Sequence, residues 1–335
     1  MKVGIAGTGF MGSTHAAAWT EIGGEIAGFL AETPQEAEEL AKWYAVKNYL
    51  DLASMLNEVD IVDVCTPTHL HCDMVLKAAA AGKQIICEKP LALTIEDGQK
   101  MIDACKKAGV NLFVAQVVRF FPEYALAKEA IDHGEIGQLG VIRLSRGSYR
   151  PKKAVGNWFL DETKSGGILM DLMVHDLDYA RWVAGEVESV YAKKISKSFP
   201  DAPVDYATVI LKHRSGAISH IAGAWAYPPP TFRTSIEISG DGGMIAFDSD
   251  ATAPIRSLIQ KSGSDAPDVG LPSSPVSESP YTTEIKEFYA AITHHSPVRV
   301  AAEDGLAAIQ IALAAIESAQ TGKAVILSPL TEVQL

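Results

Sequence analysis

The chain begins MKVGIAGTGFMG (residues 1–12), and this stretch decides the fold of the first part of the protein. The run MKVGIA has the apolar and β-branched composition of a buried strand. Gly7, Gly9 and Gly12 follow it in the spacing GxGxxG. After a strand, such glycines allow a tight turn, a close approach of a pyrophosphate to the backbone, and close packing of the next helix. The pattern predicts a dinucleotide-binding turn, and a glycine turn without a ligand is the alternative.

Apolar runs alternate with helical patterns over the first 120 residues. Strands are predicted at 3–6, 25–30, 61–65, 84–87 and 111–114, and helices at 12–22, 34–45, 69–81 and 94–108, with a shorter helix near 51–57. Strands that alternate with helices indicate a parallel sheet covered on both faces. The sequence therefore predicts a Rossmann doubly wound α/β domain over 1–120.

The pattern changes after residue 120, where strand candidates follow one another directly. They are predicted at 139–148, 189–196, 206–213, 217–225, 234–239 and 244–248, and later helices at 282–294 and 303–321. Hairpin-like links such as HRSG and GDGG favour antiparallel pairing. We predict a C-terminal α/β domain over 121–335, with a large, mostly antiparallel open sheet covered by an apolar helix at 167–184 that ends at Gly185. This domain would bind substrate and mediate oligomerisation.

Composition excludes several classes of partner. The formal net charge is −12, from 41 acidic and 29 basic residues, which opposes binding to nucleic acid or anionic lipid. No run approaches the roughly 20 apolar residues of a membrane helix, and no leader is expected before the first predicted strand. Four cysteines without a CxxC pair indicate reduced thiols. We expect a cytoplasmic protein with no metal, since the Cys65–His69–His71–Cys72 spacing fits no zinc pattern.

The end of the second predicted strand, FLAETP, suggests which dinucleotide binds. Glu32 lies about 20 residues beyond the last glycine, where an acidic residue normally binds the adenosine ribose. No Arg or Lys lies beside it to receive a 2′-phosphate. NAD is therefore expected, with NADP less favoured, and an ordinary solvated carboxylate is the alternative for Glu32.

Two further segments carry a resemblance to a known family. They are CTPTHLHCDMVLKAAAAGKQIICEKPLA (65–92), which contains EKP at 88–90, and SGGILMDLMVHDLD (165–178). With them the chain resembles the glucose-fructose oxidoreductase / inositol dehydrogenase / MocA (Gfo/Idh/MocA) family over essentially its whole length. The resemblance implies hydride transfer at a secondary alcohol, commonly of a sugar or cyclitol, and an open sheet that often forms the subunit interface. One departure is Ala31, where the family often has Asp.

The resemblance assigns catalytic roles to Lys89, Asp171 and His175. On one helix, spacings of four and three would put Asp171, His175 and Asp178 on a single stripe, so that carboxylates flank His175 as the general base. Lys89 follows a parallel strand at the edge where ligands of such sheets bind, so its ammonium can contact the reacting hydroxyl. The sequence leaves open which of Lys89 and His175 takes the proton first, and whether the Lys89–Pro90 bond is cis.

The wider site combines the glycine turn, the strand ends and residues implied by the resemblance. The expected cofactor-binding residues are Gly7, Thr8, Gly9, Phe10, Met11, Gly12, Glu32, Thr66, Pro67, His71, Glu88, Lys89 and Gln116. The expected substrate residues are Lys89, Arg119, Trp158, Asp171, His175 and Tyr281. Arg119 could equally form a domain-bridging ion pair, and aromatic side chains suit both sugar C–H faces and core packing.

These observations predict an NAD(H)-dependent oxidoreductase that oxidises a secondary ring hydroxyl of a sugar, cyclitol or related polyol. The alternatives are an NAD-dependent glycosidase that oxidises its sugar transiently and eliminates the aglycone, and a non-catalytic dinucleotide-sensing regulator. A homodimer or homotetramer is expected, because the predicted helices can cover one face of the second sheet and leave the other exposed.

Overall fold

The computed structural model describes residues 1–152, 157–197, 204–250 and 278–330. It forms two compact units: unit 1 is Met1–Phe121 with Ser274–Leu306, and unit 2 is Pro122–Ser273 with Ala307–Leu335. The predicted division placed all of 121–335 in one domain, whereas the chain returns to unit 1 near its C-terminus. The reason is aromatic packing: within unit 1, Phe288 stacks on Phe113 at 5.0 Å between ring centroids.

The described elements follow in chain order. They are β1 (Lys2–Ala6), α1 (Phe10–Glu21), β2 (Glu25–Leu30), α2 (Pro34–Tyr44), β3 (Lys47–Tyr49), α3 (Leu52–Leu56), β4 (Ile61–Val64), α4 (His71–Ala80), β5 (Gln84–Glu88), α5 (Ile95–Ala108), β6 (Leu112–Ala115), α6 (Pro122–Asp132), β7 (Leu139–Ser148), α7 (Glu162–Ser165), α8 (Gly167–Asp171), α9 (Val174–Ala184), β8 (Val187–Lys197), β9 (Val204–His213), β10 (Ile218–Trp225), β11 (Phe232–Gly240), β12 (Met244–Asp248), α10 (Pro280–His294), α11 (Ala302–Thr321) and β13 (Val325–Ile326).

Unit 1 contains a six-stranded sheet in the order β3-β2-β1-β4-β5-β6, and every pair is parallel. This confirms the Rossmann prediction. The order reverses between β1 and β4, and ligands of such sheets bind outside the carboxyl ends of the strands at that point. The sequence analysis missed β3, because the three residues KNY are too short to show a strand pattern.

Unit 2 contains a seven-stranded sheet in the order β12-β11-β7-β10-β9-β8-β13. Its neighbours are antiparallel except for β7 and β10, which confirms a mostly antiparallel sheet. Helices α8 and α9 contact its central strands. Side chains that alternate with the buried core residues remain exposed on the sheet, and they include the large apolar residues Tyr191, Ile195, Tyr206, Ile210 and Ile218.

The predicted helix at 167–184 is two helices, α8 and α9, separated by a turn at residues 172–173. Met173 N donates to Ile168 O at 3.0 Å, and Asp176 N donates to Met173 O at 3.0 Å, so the helical register restarts. The predicted single helix is therefore wrong: Asp171 ends α8, whereas His175 and Asp178 lie on α9. Gly185 ends α9 as predicted, with φ +83°.

A buried ion pair joins α9 to the sheet of unit 2. Arg146 on β7 donates from Nε to Asp176 Oδ2 at 2.7 Å and from Nη2 to Asp176 Oδ1 at 3.0 Å. Both side chains are at most 2% exposed. Their bidentate geometry offsets the cost of desolvating two charges. No sequence pattern had singled out this pair.

Arg146→Met should destabilise the protein by about 3–5 kcal/mol, because it leaves the Asp176 carboxylate buried without its cation. The double variant Arg146→Met/Asp176→Leu should recover most of that loss, since no unpaired charge remains. Thermal unfolding midpoints of the three proteins measure this. A double variant no more stable than Arg146→Met would contradict the argument.

Among the residues described, no helix combines the length and apolar character needed to cross a membrane.

Candidate functional site

The three glycines of the turn after β1 have different surroundings. Gly7 has φ +102°, its N–H donates to Leu30 O at 2.7 Å, and a Cβ there would lie 2.3 Å from Cys65 O. A Cβ on Gly12 would lie 1.9 Å from Gly7 O. No atom lies within 4 Å of a Cβ built on Gly9. Gly7 and Gly12 are therefore required by packing, whereas Gly9 leaves space at the start of α1.

The start of α1 suits a phosphate group. The first N–H groups of a helix have no intrahelical acceptor, and the helix dipole favours an anion there. The adjoining Thr8 donates from Oγ1 to Glu36 O at 3.2 Å, which ties the turn to α2. Phe10 is exposed and Met11 is half-buried. Glu32 is exposed just beyond the end of β2, where it can reach a ribose.

Two polar side chains at the carboxyl edge of the sheet fit a dinucleotide. Gln116 follows β6 and is 1% exposed, and neither its amide nitrogen nor its amide oxygen has a hydrogen-bond partner among the described residues. Thr66 lies just after β4, next to the half-buried Pro67. Its Oγ1 also lacks a hydrogen-bond partner within the described ranges. Buried polar groups are normally paired. A bound ribose or carboxamide would supply partners for both.

His71 and Glu88, both expected to touch the cofactor, also contact the protein. His71 Nδ1 lies 3.0 Å from Pro90 O, and Nε2 lies 2.9 Å from Thr66 O. The ring therefore links the turn at Thr66–Pro67 (the TP turn) to the turn at Glu88–Pro90 (the EKP turn). Burial lowers the pKa of His71, although the two carbonyl groups favour the protonated ring. Glu88 is 5% exposed, and both of its oxygens have partners. These contacts support the turns, and a cofactor contact by either residue stays a prediction.

Lys89 begins the turn after β5 at the same edge of the sheet, and its side chain is half-buried. The Lys89–Pro90 bond is cis. The N–H of Lys89 donates to Glu88 Oε2 at 2.9 Å, which attaches its backbone to the buried carboxylate.

Arg119 and Tyr281 are both buried within unit 1. Arg119 Nη1 donates to Arg299 O at 2.8 Å and to Asp304 Oδ2 at 3.1 Å. Since Asp304 belongs to unit 1, this ion pair does not bridge two domains, and it indicates a structural role for Arg119. Tyr281 makes an edge contact with Phe121, with ring centroids 6.3 Å apart. A substrate contact by either residue stays a prediction.

The remaining predicted residues lie in unit 2. Asp171 is buried at the end of α8, and His175 is half-buried in the first turn of α9. Trp158 begins a short 3₁₀ helix and stacks on Phe159 at 4.0 Å between ring centroids. Their assignment to substrate stays a prediction.

Sequence analysis overlooked a buried group of titratable residues beneath the glycine turn. His15 on α1 contacts Asp63 on β4 and Glu88 on β5, and Cys65 and Glu284 lie nearby. One signal was available: Asp63 interrupts the apolar strand IVDV, and a carboxylate inside a buried strand needs a partner. The partner itself could not be identified without the fold.

All four cysteines are free, and each is buried or half-buried, as expected for reduced thiols.

Comparison with known proteins gave two family matches. Residues 1–116 match the model described as "Oxidoreductase family, NAD-binding Rossmann fold", and residues 124–246 match the "GFO/IDH/MocA C-terminal domain". The chain is 30% identical to the Myo-inositol 2-dehydrogenase of Thermotoga maritima, over 97% of this chain and 98% of that protein.

Solved structures give the same result. A putative myo-inositol dehydrogenase from Sinorhizobium meliloti has a TM-score of 0.81 and 26% identity, over 98% of this chain and 100% of that one. A levoglucosan dehydrogenase in complex with NADH and L-sorbose has a TM-score of 0.82 and 26% identity, over 98% of this chain and 99% of that one.

Gly9→Ala and Gly12→Ala should separate cofactor binding from folding. The Cβ of Gly9→Ala enters open space, so the unfolding midpoint should hold while NAD affinity falls at least about tenfold, or about 1.4 kcal/mol. Gly12→Ala should destabilise the fold by about 1–3 kcal/mol or more, since its Cβ meets the Gly7 carbonyl. Calorimetric NAD titration and thermal unfolding test both, with Gly140→Ala as the control. Unchanged NAD affinity in Gly9→Ala would contradict the assigned role.

Proposed function

Because this chain belongs to the Gfo/Idh/MocA family of NAD-dependent oxidoreductases, we propose that it oxidises a secondary ring hydroxyl of a sugar, cyclitol or related polyol. The main support for the proposal is the set of residues at the carboxyl edge of the parallel sheet. There the open glycine turn, Gln116 and Thr66 fit a dinucleotide, and Lys89 lies at the same edge. An inositol dehydrogenase and a sugar-bound dehydrogenase among the relatives support this substrate class.

Bound NAD supplies the hydride acceptor. The protein must then hold the dinucleotide, orient the alcohol and accept its proton. The glycine turn and the start of α1 bind the pyrophosphate, and Glu32 binds the ribose. The Lys89 ammonium donates a hydrogen bond to the reacting oxygen and stabilises the developing alkoxide. His175 accepts the proton, and Asp171 stabilises the imidazolium that results.

The first experiment is a substrate panel. Purified protein with NAD is mixed with inositols, aldoses, other polyols and glycosides, and NADH is followed by its absorbance. We expect NADH to form with at least one polyol, inositol or sugar. Hydrolysis of a glycoside without net NADH would instead identify a glycosidase, and NAD binding without turnover on any compound would favour a sensor.

Lys89→Met and His175→Ala should each lower kcat on the substrate so found by about 10²- to 10⁴-fold, because positioned proton transfer contributes about that much. NAD affinity should stay near native, since the glycine turn and Glu32 supply most of the binding. The exposed residues Lys107 and His133 provide matched controls, Lys107→Met and His133→Ala. If His175→Ala kept more than about a tenth of the wild-type kcat, the general base would be Lys89 and not His175.

We also infer that the chain assembles as a homodimer or homotetramer through the exposed face of the unit 2 sheet, in a cytoplasmic setting suited to its reduced thiols. Tyr191 and Ile210 are direct cross-strand neighbours on that face, and Ile195 and Tyr206 form a second such pair. All four are exposed, and Ile210 is 41% exposed. The Lys193–Thr208 pair lies between these two apolar pairs on the same face. Exposed apolar side chains grouped on one face of a sheet favour an interaction surface.

Ile210→Asp should reduce the particle mass, because a charge would be buried at the centre of the contact. Light scattering at micromolar concentration measures this. Leu50→Asp, which changes an exposed leucine of unit 1, should leave the mass unchanged. A wild-type protein that is monomeric under these conditions would rule out the assembly.

A further inference from the structure

A buried chain of hydrogen bonds connects α1 to the backbone of Lys89. Trp19 Nε1 donates to Asp63 Oδ2 at 2.8 Å, and Asp63 Oδ1 lies 2.9 Å from His15 Nδ1. His15 Nε2 lies 3.1 Å from Glu88 Oε1. Glu88 Oε2 accepts the N–H of Lys89 at 2.9 Å. Every link lies within unit 1.

The contacts of His15 favour the protonated, positively charged form of its ring. Asp63 and His15 are completely buried, and each nitrogen of the imidazole faces a carboxylate. A neutral imidazole donates from one nitrogen only, whereas an imidazolium donates from both. Burial lowers the pKa of His15, but the Asp63 carboxylate and Cys65 together raise it, so that it lies well above its usual value. His15 is therefore an imidazolium held between two anions.

Three further titratable groups near His15 favour their neutral forms. Burial and the nearby Glu88 carboxylate raise the pKa of Glu284 on α10 well above its usual value. Burial also raises the pKa of the Cys65 and Cys87 thiols, with the carboxylates adding to the effect. The two carboxylates that contact the His15 ring, Asp63 and Glu88, balance its positive charge.

A metal ion is a competing occupant, since His15, Asp63 and Cys65 place potential ligand atoms within 4.8 Å of one another. The distances between these side chains favour hydrogen bonds over a bound metal ion. The His15–Asp63 separations of 2.9 and 3.0 Å are hydrogen-bond lengths, and the Trp19 N–H donates to Asp63 Oδ2.

We propose that His15, fixed by Asp63, is a positioning residue for Lys89: it holds the Glu88 carboxylate, which in turn holds the main-chain N–H of Lys89. Loss of the His15–Glu88 bond would free the Glu88 carboxylate to rotate and would release the start of the EKP turn. An error of about 1 Å in a reacting group can cost about 100-fold in rate. The inference rests on the proposed role of Lys89 in the reaction.

Two substitutions at His15 separate this role from simple packing. In His15→Gln the side-chain amide reaches the position of Nε2 and can still donate to Glu88. In His15→Asn the amide reaches only the position of Nδ1, so it keeps the hydrogen bond to Asp63 and loses the one to Glu88. We expect His15→Asn to lower kcat about 10- to 100-fold with the KM for NAD near native, as for other supporting residues. His15→Gln should retain most of the wild-type kcat.

A second readout does not depend on turnover. The rate at which an amine-directed acylating reagent modifies Lys89 is measured by peptide mass spectrometry, relative to the exposed Lys107 of the same chain. The ratio of the Lys89 labelling rate to the Lys107 labelling rate should change in His15→Asn. It should keep its wild-type value in His15→Gln. If no polyol, inositol or sugar is oxidised but the labelling ratios differ as stated, the positioning role stands and the proposed function fails.

Several results would overturn the proposal. They are an equal loss of kcat in the two His15 variants, a wild-type labelling ratio in His15→Asn, and one equivalent of zinc bound to the purified wild-type protein. If His15→Asn does not fold, Glu88→Gln replaces it, because an amide offers one acceptor oxygen to two donors. Glu88→Gln should then change the Lys89 labelling ratio, and an unchanged ratio would overturn the proposal. Cys65→Ala is the control, since Cys65 contacts His15 but not Glu88.

Discussion

The site of unit 1 depends on the absence of side chains at two glycines. Gly7 lies where the ends of β2 and β4 converge on β1: its N–H bonds to Leu30 O, and a Cβ would overlap the Cys65 carbonyl. Gly12 brings α1 against that same turn. This close approach places the start of α1 over the edge where the sheet order reverses. The phosphate site, the TP turn and the EKP turn all occupy that edge.

The same approach brings His15 against the sheet. It lies one turn of α1 beyond Gly12, and the short distance between helix and sheet puts its ring between carboxylates on β4 and β5. Burying an ionised group in the protein interior costs several kcal/mol of desolvation free energy unless the group pairs with an opposite charge. Here three such groups are buried together. Replacing such groups by apolar residues is often neutral or stabilising, so their presence next to Lys89, the proposed reacting residue, favours a role in function.

Unit 2 uses a different arrangement. Its broad sheet has alternating inward and outward residues, and α8 and α9 supply helical contacts to it. The buried Arg146–Asp176 pair attaches α9 to β7. The first turn of α9 carries His175, so this ion pair helps to fix the orientation of the proposed base. The exposed apolar side chains on β8, β9 and β10 are those of the proposed contact with a second copy of the chain.

The sequence by itself determined the parallel sheet, the glycine turn, the mostly antiparallel second sheet and the positions of Lys89, Asp171 and His175 along the chain. These features follow from local spacing and periodicity, which neighbouring residues encode. Only the tertiary structure decided that residues 278–306 join unit 1, that the helix at 167–184 breaks, and that Arg119, His71 and Glu88 contact the protein itself. It alone revealed the partners of Asp63, because His15, Asp63 and Glu88 are far apart in sequence and meet only when α1 packs on β4 and β5.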